Sequence, residues 1–295
     1  MPNPPPRVTR GYLYAFLAAI CGGAIPTLSK VLLTQAGPVT VSGLSFFISG
    51  LMILPFQARS LPTRISAKYV AFFGVIGACI APVLYQIGLD STTAVNTALL
   101  SNAEGLFTTL IAFIAFGERL ARRQLARGLL IVAGIVLVST NLDLAHVQFL
   151  EGLAGNLLIL AAMFLWSLEN NLIISAAQRF GPLLVTKFRN VIGGGIVTVA
   201  VILLGTQVSL SPFGIVALVL LGVSLAGTSY LAIAALADAG AIRAILVFST
   251  TSVFGAAFAL IFLGEQITVV QLAGGALIMA GVYALHRSES RSAHL

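Results

Sequence analysis

Within the stretch FLWSLENNL, Trp166, Glu169, Asn170 and Ile173 follow one another at i, i+3, i+4 and i+7, the spacing that puts four side chains on one face of a helix. An indole, an acid and an amide turned the same way could hold a zwitterion: the carboxylate accepts from an ammonium, the amide serves either end, and the indole packs an apolar side chain. A second acid, Glu104, stands in SNAEGLF with Asn102 and Asn96 nearby, and could bind substrate or exchange a proton as a coupling group. Tyr85 and Tyr230 fall inside apolar runs, where a phenol could offer its hydroxyl to a substrate. Plainer readings stay open for each: Glu169 and Asn170 as hydrogen-bonding glue between helices, and Glu104 as a protonated structural group or a solvated one. No Ser-His-Asp, His-rich or Cys-rich set falls inside the apolar runs, no P-loop pattern is present, and no cofactor or metal is expected. An enzyme is therefore not expected, and a channel would need a more continuous polar lining than these sparse residues offer.

The elements that must carry these side chains are set by composition. The chain is 58% hydrophobic and 8% charged, against about 25% charged in an ordinary soluble protein. Its net charge of +7 does not point to nucleic acid, because the Lys and Arg residues sit in short breaks between long apolar runs and not on a clustered basic face. Crossing a hydrocarbon core of about 30 Å takes about 20 apolar residues, and on that measure ten helical spans are expected, near 11–33, 38–57, 67–89, 93–116, 124–141, 152–175, 182–204, 212–236, 241–263 and 268–286. No connection between them is long enough for a soluble domain. The first apolar run exceeds the core of a signal peptide and leads straight into the next, so it is expected to stay. Cys21 and Cys79 fall inside spans and read as small buried apolar groups.

With the N-terminus inside, the inner connections hold Arg7, Arg10, Arg59, Arg64, Lys68, Arg119, Arg122, Arg123, Arg127, Arg179, Lys187, Arg287 and Arg291, with Arg189 and Arg243 near inner ends of spans. Only Lys30 falls toward the outside, where it is expected to reach to the headgroups. The outer connections carry Asp90, Asp143, Glu151 and Glu265 and no basic residue, so an N-in, C-in orientation is expected. His146, His286 and His294 lie outside the spans, which argues against a histidine relay.

GERLARRQLARGLLIVAG at 117–134 recurs as GEQITVVQLAGGALIMAG at 264–281, and Arg119, Arg122, Arg123 and Arg127 become Gln266, Val269, Val270 and Gly274. A repeat with an odd number of spans places its copies on opposite membrane faces, which accounts for the lost charges. The expected organisation is all-α, with a first five-helix repeat over 1–143 and a second, inverted five-helix repeat over 144–295. Inverted repeats are a transporter architecture with the substrate near the midplane and access alternating around it. Small residues at helical spacing in spans four and nine read as close-packing faces, and Gly193, Gly194 and Gly195 as a packing or bending device.

The doubled pattern F-G-E or L-G-E followed by Q-L-A-x-G-x-L-I-x-A-G resembles the drug/metabolite transporter superfamily, specifically the ten-span carriers with two EamA-type domains. The resemblance covers essentially the whole chain. The layout, together with Trp166 and the intramembrane Glu and Asn, is most similar to bacterial aromatic amino acid exporters. Two departures stand out: the Pro usual in the middle of spans four and nine is replaced by Glu104 and Thr251, and the Arg often found in span two is Ser45, kept only as Arg189 in the other half. The resemblance implies a monomeric multi-pass carrier of a bacterial inner membrane that exports a small amphipathic substrate, an amino acid or a drug-like metabolite. Its alternative is a proton-coupled multidrug or cation exporter. The smallest members of the superfamily use an acid in the first span, which this chain lacks.

Overall fold

The structure, a computed structural model, describes residues 6–56, 72–116, 122–140 and 148–292. Among them every regular element is a helix: α1 (Pro6–Leu33), α2 (Pro38–Ile53), α3 (Phe73–Asp90), α4 (Ala94–Leu100), α5 (Ala103–Phe116), α6 (Arg122–Thr140), α7 (Gln148–Phe180), α8 (Pro182–Leu203), α9 (Pro212–Ala239), α10 (Ala241–Phe248), α11 (Thr251–Phe258), which runs on as a π-helix over Ala259–Leu263, and α12 (Val269–Ser292). Among the described residues six segments are long and apolar enough to cross a membrane, and the shorter Pro38–Ile53, Gly128–Thr140 and Val269–Ala284 are apolar too. Gly117, Glu118, Arg59, Arg64, Lys68, Arg119, Asp143, His146 and His294 lie outside the described residues, as do the side chains of Arg122, Arg123, Arg127, Glu151, His286, Arg287 and Arg291.

Local chemistry sets the ends of these helices. Pro38, Pro182 and Pro212 start α2, α8 and α9, where a missing N–H costs nothing. Ser211 caps α9 by accepting from Gly214 N at 3.1 Å, and Thr93 caps α4 by accepting from Asn96 N at 3.0 Å. Gly181 and Gly240, at φ of 85° and 82°, turn the chain between α7 and α8 and between α9 and α10, a backbone state that side chains disfavour.

The spans expected at 93–116 and 241–263 are each broken. Between α4 and α5 the ladder passes through Asn102 N to Leu99 O and Glu104 N to Ser101 O, and between α10 and α11 through Thr250 N to Val247 O and Ser252 N to Ser249 O. At both places the bonds shorten from i−4 to i−3, although neither break holds a Pro. Side chains compete for the backbone there: Ser101 Oγ donates to Thr97 O, Ser249 Oγ to Leu246 O, Thr250 Oγ1 to Val247 O and Thr251 Oγ1 to Phe248 O.

Apolar and polar residues are distributed inside out. Leu203 is 81% exposed and Ile114 77%, while Ser29, Ser49, Gln86, Asn156, Ser167, Glu169 and Asn190 are buried. Water would reverse this arrangement and a bilayer explains it. The helices pack in reciprocal pairs, α1 with α9, α3 with α7, α2 with α8, α6 with α12 and α4 with α11. Small residues set the distances. A Cβ on Gly134 would meet Gly274 O and Ile278 at the α6–α12 contact. In the Gly193–Gly195 run, Gly193 meets Gly74 O and Ala78 of α3, Gly194 meets the backbone of Phe46 and Phe47 of α2, and Gly195 meets only the Phe47 ring at ordinary distance. The run is a packing device with two working members. Gly194→Ala is therefore expected to lower the apparent melting temperature in detergent by several degrees, while Gly195→Ala holds or raises it, since Ala is favoured in a helix by about 0.5–1 kcal/mol. Equal losses for the two would contradict the packing.

Candidate functional site

The site begins with a carbonyl. The first part of α3, Phe73–Ile80, is a π-helix, in which each N–H reaches back five residues. Ala81 N–H, which an α-helix would direct to Gly77 O, goes to Ile76 O. The residue five beyond Gly77 is Pro82, which has no N–H. Gly77 O is thus left over by its own helix, and two side chains from other helices donate to it: Trp166 Nε1 at 2.8 Å and Arg189 Nη2 at 2.9 Å.

Arg189 also holds Glu169 in a two-pronged pair, Nε to Oε1 at 2.6 Å and Nη2 to Oε2 at 2.9 Å. The pair is buried, with side-chain exposures of 9% and 2%. Its remaining nitrogen, Nη1, donates to Asn190 Oδ1 at 3.0 Å and Ser229 Oγ at 3.5 Å, and the guanidinium lies 5.8 Å from the Phe46 ring centre. Gly77 has no side chain for a further reason: a Cβ there would collide with the Glu169 carboxylate.

Above this centre lies a cavity of about 170 Å³ at the two helix breaks. The face expected from the i, i+3, i+4, i+7 spacing is present, since Trp166, Glu169, Asn170 and Ile173 all line it. Tyr85 joins them, its ring 5.5 Å from that of Trp166. Glu104 and Asn102 arrive from the break between α4 and α5. Asn170 Nδ2 donates to Glu104 Oε1, and Ser167 Oγ donates to Glu104 O at 2.8 Å, fastening α5 to α7. Asn102 Nδ2 donates to Ser252 Oγ at 2.7 Å and faces Met279 Sδ at 3.4 Å, linking one break to the other.

Of the seven candidate residues, the cavity collects Tyr85, Asn102, Glu104, Trp166, Glu169 and Asn170, and Tyr230 is not among its lining. Tyr230 sits with Tyr14 near the pair of Arg10 and Asp238, where Arg10 Nε donates to Asp238 Oδ2 at 2.8 Å. Sequence reasoning counted Arg189 as a marker of orientation and missed its place at the site. The signal was there, because an Arg inside an apolar run needs a partner and Glu169 was the other charge at matching depth. Glu169 is correspondingly charge-paired already, each of its oxygens accepting from Arg189. Gln86 and Thr228, also on the wall, were not anticipated.

At the end opposite the start of α1 the helices are tied together. Glu265 accepts from Ala94 N and Val95 N, both at 2.9 Å, and so caps α4. Gln271 Nε2 donates to Asn96 Oδ1 at 2.8 Å. Lys30, expected among the headgroups, instead gives its ammonium to Leu89 O at 2.7 Å, Asp90 O at 3.2 Å and Thr92 O at 2.6 Å at the end of α3. The reason is electrostatic, since terminal carbonyls carry the negative end of the helix dipole. The cavity runs the other way, with Ala15, Leu236 and Ala244 on its wall.

Two segments, 9–140 and 153–287, each match the model of the EamA-like transporter family. An uncharacterized transporter of Methanothermobacter thermautotrophicus is 29% identical, aligned over 94% of this chain and 86% of that protein. A probable amino-acid metabolite efflux pump of Salmonella typhimurium is 28% identical over 92% of this chain and 93% of that protein. A pump of the same description in Escherichia coli is 25% identical over 91% and 92% of the two chains. A solved crystal structure superposes with a TM-score of 0.70 at 18% identity, covering 96% of this chain and 98% of its own, which speaks to the fold.

The buried pair generates a stability prediction. Arg189→Met leaves the Glu169 charge unpaired in an apolar surround and is expected to cost about 3–5 kcal/mol, read as a large drop in apparent melting temperature. Adding Glu169→Leu should recover much of it, because the two residues then leave together. A double variant no better than the single one would contradict the pairing.

Proposed function

We propose that this chain, which belongs to the EamA-like transporter family, is a secondary carrier that moves small amphipathic metabolites, neutral and aromatic amino acids among them, outward across a bacterial inner membrane by alternating access. The observation that carries the reading is a cavity placed at two helix breaks, walled by both halves of the chain, with one end tied by Glu265, Gln271 and Lys30. Broken helices at a midplane site are how carriers free backbone groups for a substrate without exposing them to lipid. A transporter, and not an enzyme, is what the family and its named relatives indicate.

The two-repeat organisation, 1–143 and 144–295, belongs to the same proposal. The packing pairs support it: exchanging the halves turns α1–α9 into α7–α3 and returns α2–α8 and α6–α12 to themselves. With the N-terminus inside, as the distribution of Lys and Arg favours, the tied end faces out and the cavity extends toward the cytoplasm. One chain supplies both halves of the site, so a monomer suffices. The pumps of Salmonella typhimurium and Escherichia coli are named for amino-acid metabolites, and the Tyr85–Trp166 wall suits an aromatic or apolar side chain.

The test is exchange in liposomes. Purified protein is expected to exchange labelled phenylalanine against internal phenylalanine faster than against buffer, with no imposed pH gradient. Trp166→Ala should slow that exchange up to about tenfold through the loss of aromatic packing. No exchange of any amino acid would sink the substrate reading, and uptake only under a pH gradient would move it to the proton-coupled exporter.

A further inference from the structure

We propose that the cavity selects its ligand by an ammonium group and offers no free cationic partner to a carboxylate, so that an aromatic or apolar amine or amino amide is held at least as well as the matching amino acid. The inference rests on the carrier reading and specifies what the carrier's site accepts.

A bound carboxylate is held best by a cation, and Arg189, the cationic side chain among the described lining residues, is spent. The donors left on the wall are neutral, the hydroxyls of Tyr85, Thr228 and Ser229 and the second N–H of Asn170. Arg189 has five N–H groups, and each has a taker: Glu169 Oε1, Glu169 Oε2, Gly77 O, Asn190 Oδ1 and Ser229 Oγ. Trp166 Nε1 is committed to Gly77 O. Asn102 Nδ2 serves Ser252 Oγ and Met279 Sδ. The hydroxyls of Ser101, Ser249 and Thr251 point back to carbonyls three or four residues earlier, in α4 and α10.

Acceptors, by contrast, are left over. Asn170 holds Glu104 Oε1, and among the described residues no donor reaches Glu104 Oε2. Gln86 is 2% exposed, its Nε2 donates to Ser29 Oγ at 2.9 Å, and its Oε1 is buried without a partner. Thr228 Oγ1 is likewise buried and unpartnered, able to accept or donate. All three residues line the same cavity. An unpartnered buried polar atom costs about 1–3 kcal/mol and implies something that pairs with it. An ammonium brings three donors and no acceptor, which complements this set.

Charge points the same way. The Arg189–Glu169 pair cancels, so Glu104 is the acid among the described lining residues that stands in no ion pair. Glu104 also stands in the first turn of α5, where its carboxylate offsets the positive helix end. In carriers with broken helices that end is available to a substrate carboxylate; here it is already answered.

The chain has one tryptophan, and it is on the cavity wall, so Trp166 emission reports occupancy directly. The full-length wild-type protein in detergent is titrated with phenethylamine, phenylalaninamide, phenylalanine and 3-phenylpropionate, with excitation where phenyl rings do not absorb. Phenethylamine and phenylalaninamide are expected to saturate at concentrations about tenfold or more below 3-phenylpropionate, the worth of one hydrogen bond to a charged group. Glu104→Gln should weaken the amines about tenfold and leave 3-phenylpropionate no weaker; Gln86→Leu supplies a second variant with the same expected direction. Equal binding of 3-phenylpropionate and phenethylamine, binding of phenylalanine alone, or no saturable response to any of the four would overturn the proposal. Amine binding without phenylalanine exchange in liposomes would uphold it and remove the amino acid reading. Phenylalanine exchange inhibited equally by 3-phenylpropionate and phenethylamine would keep the carrier and remove the ammonium selection.

Discussion

Gly77 O cannot be satisfied within its own helix, because the π register directs Ala81 N–H to Ile76 O and Pro82 has no N–H to offer. In an apolar surround such a carbonyl must find a donor elsewhere. It finds Trp166 of α7 and Arg189 of α8, and the consequences spread from there. Arg189 brings its charge to the centre of the bundle, which requires Glu169. Glu169 then occupies the space a side chain on residue 77 would take, which requires glycine. Three helices are joined through one oxygen atom, and the Trp166 ring is fixed as a wall of the cavity next to Tyr85.

The same accounting explains why a closed polar cluster sits beside an open one. Glu169 and Arg189 neutralise each other, and the other Arg189 N–H groups go to Gly77 O, Asn190 Oδ1 and Ser229 Oγ, so the pair ties helices together even though its residues line the cavity. Glu104 is held by one oxygen only, and its partner Asn170 comes from the helical face that presents Trp166 and Glu169. Position on that face is shared; role is divided by who reaches each atom first.

Connections between the halves are of two kinds. At the tied end they are polar and directional, as in Glu265 on the α4 N–H groups and Gln271 on Asn96. Along the helix pairs they are close apolar contacts at small residues, as at Gly134 and Gly274. Directional bonds can be exchanged for others as a unit, whereas close packing resists separation. That contrast is what the proposed alternating access would require, with ends that open in turn while the paired helices stay together.

Much of this protein was legible in its residues alone. The apolar runs and their charge-poor interiors determined a helical membrane protein, because a bilayer admits little else. The i, i+3, i+4, i+7 spacing from Trp166 determined a shared face, because helical geometry is local. The breaks at Ser101–Asn102 and Ser249–Thr250 were not legible, since no Pro marks them and the hydroxyls that sustain them are common within apolar helices. Lys30 on the end of α3, Glu265 on the start of α4 and Arg189 on Glu169 were decided by the tertiary structure alone. Each joins residues on different helices, and no periodicity along one helix encodes which side chain another helix will bring within 3 Å of it.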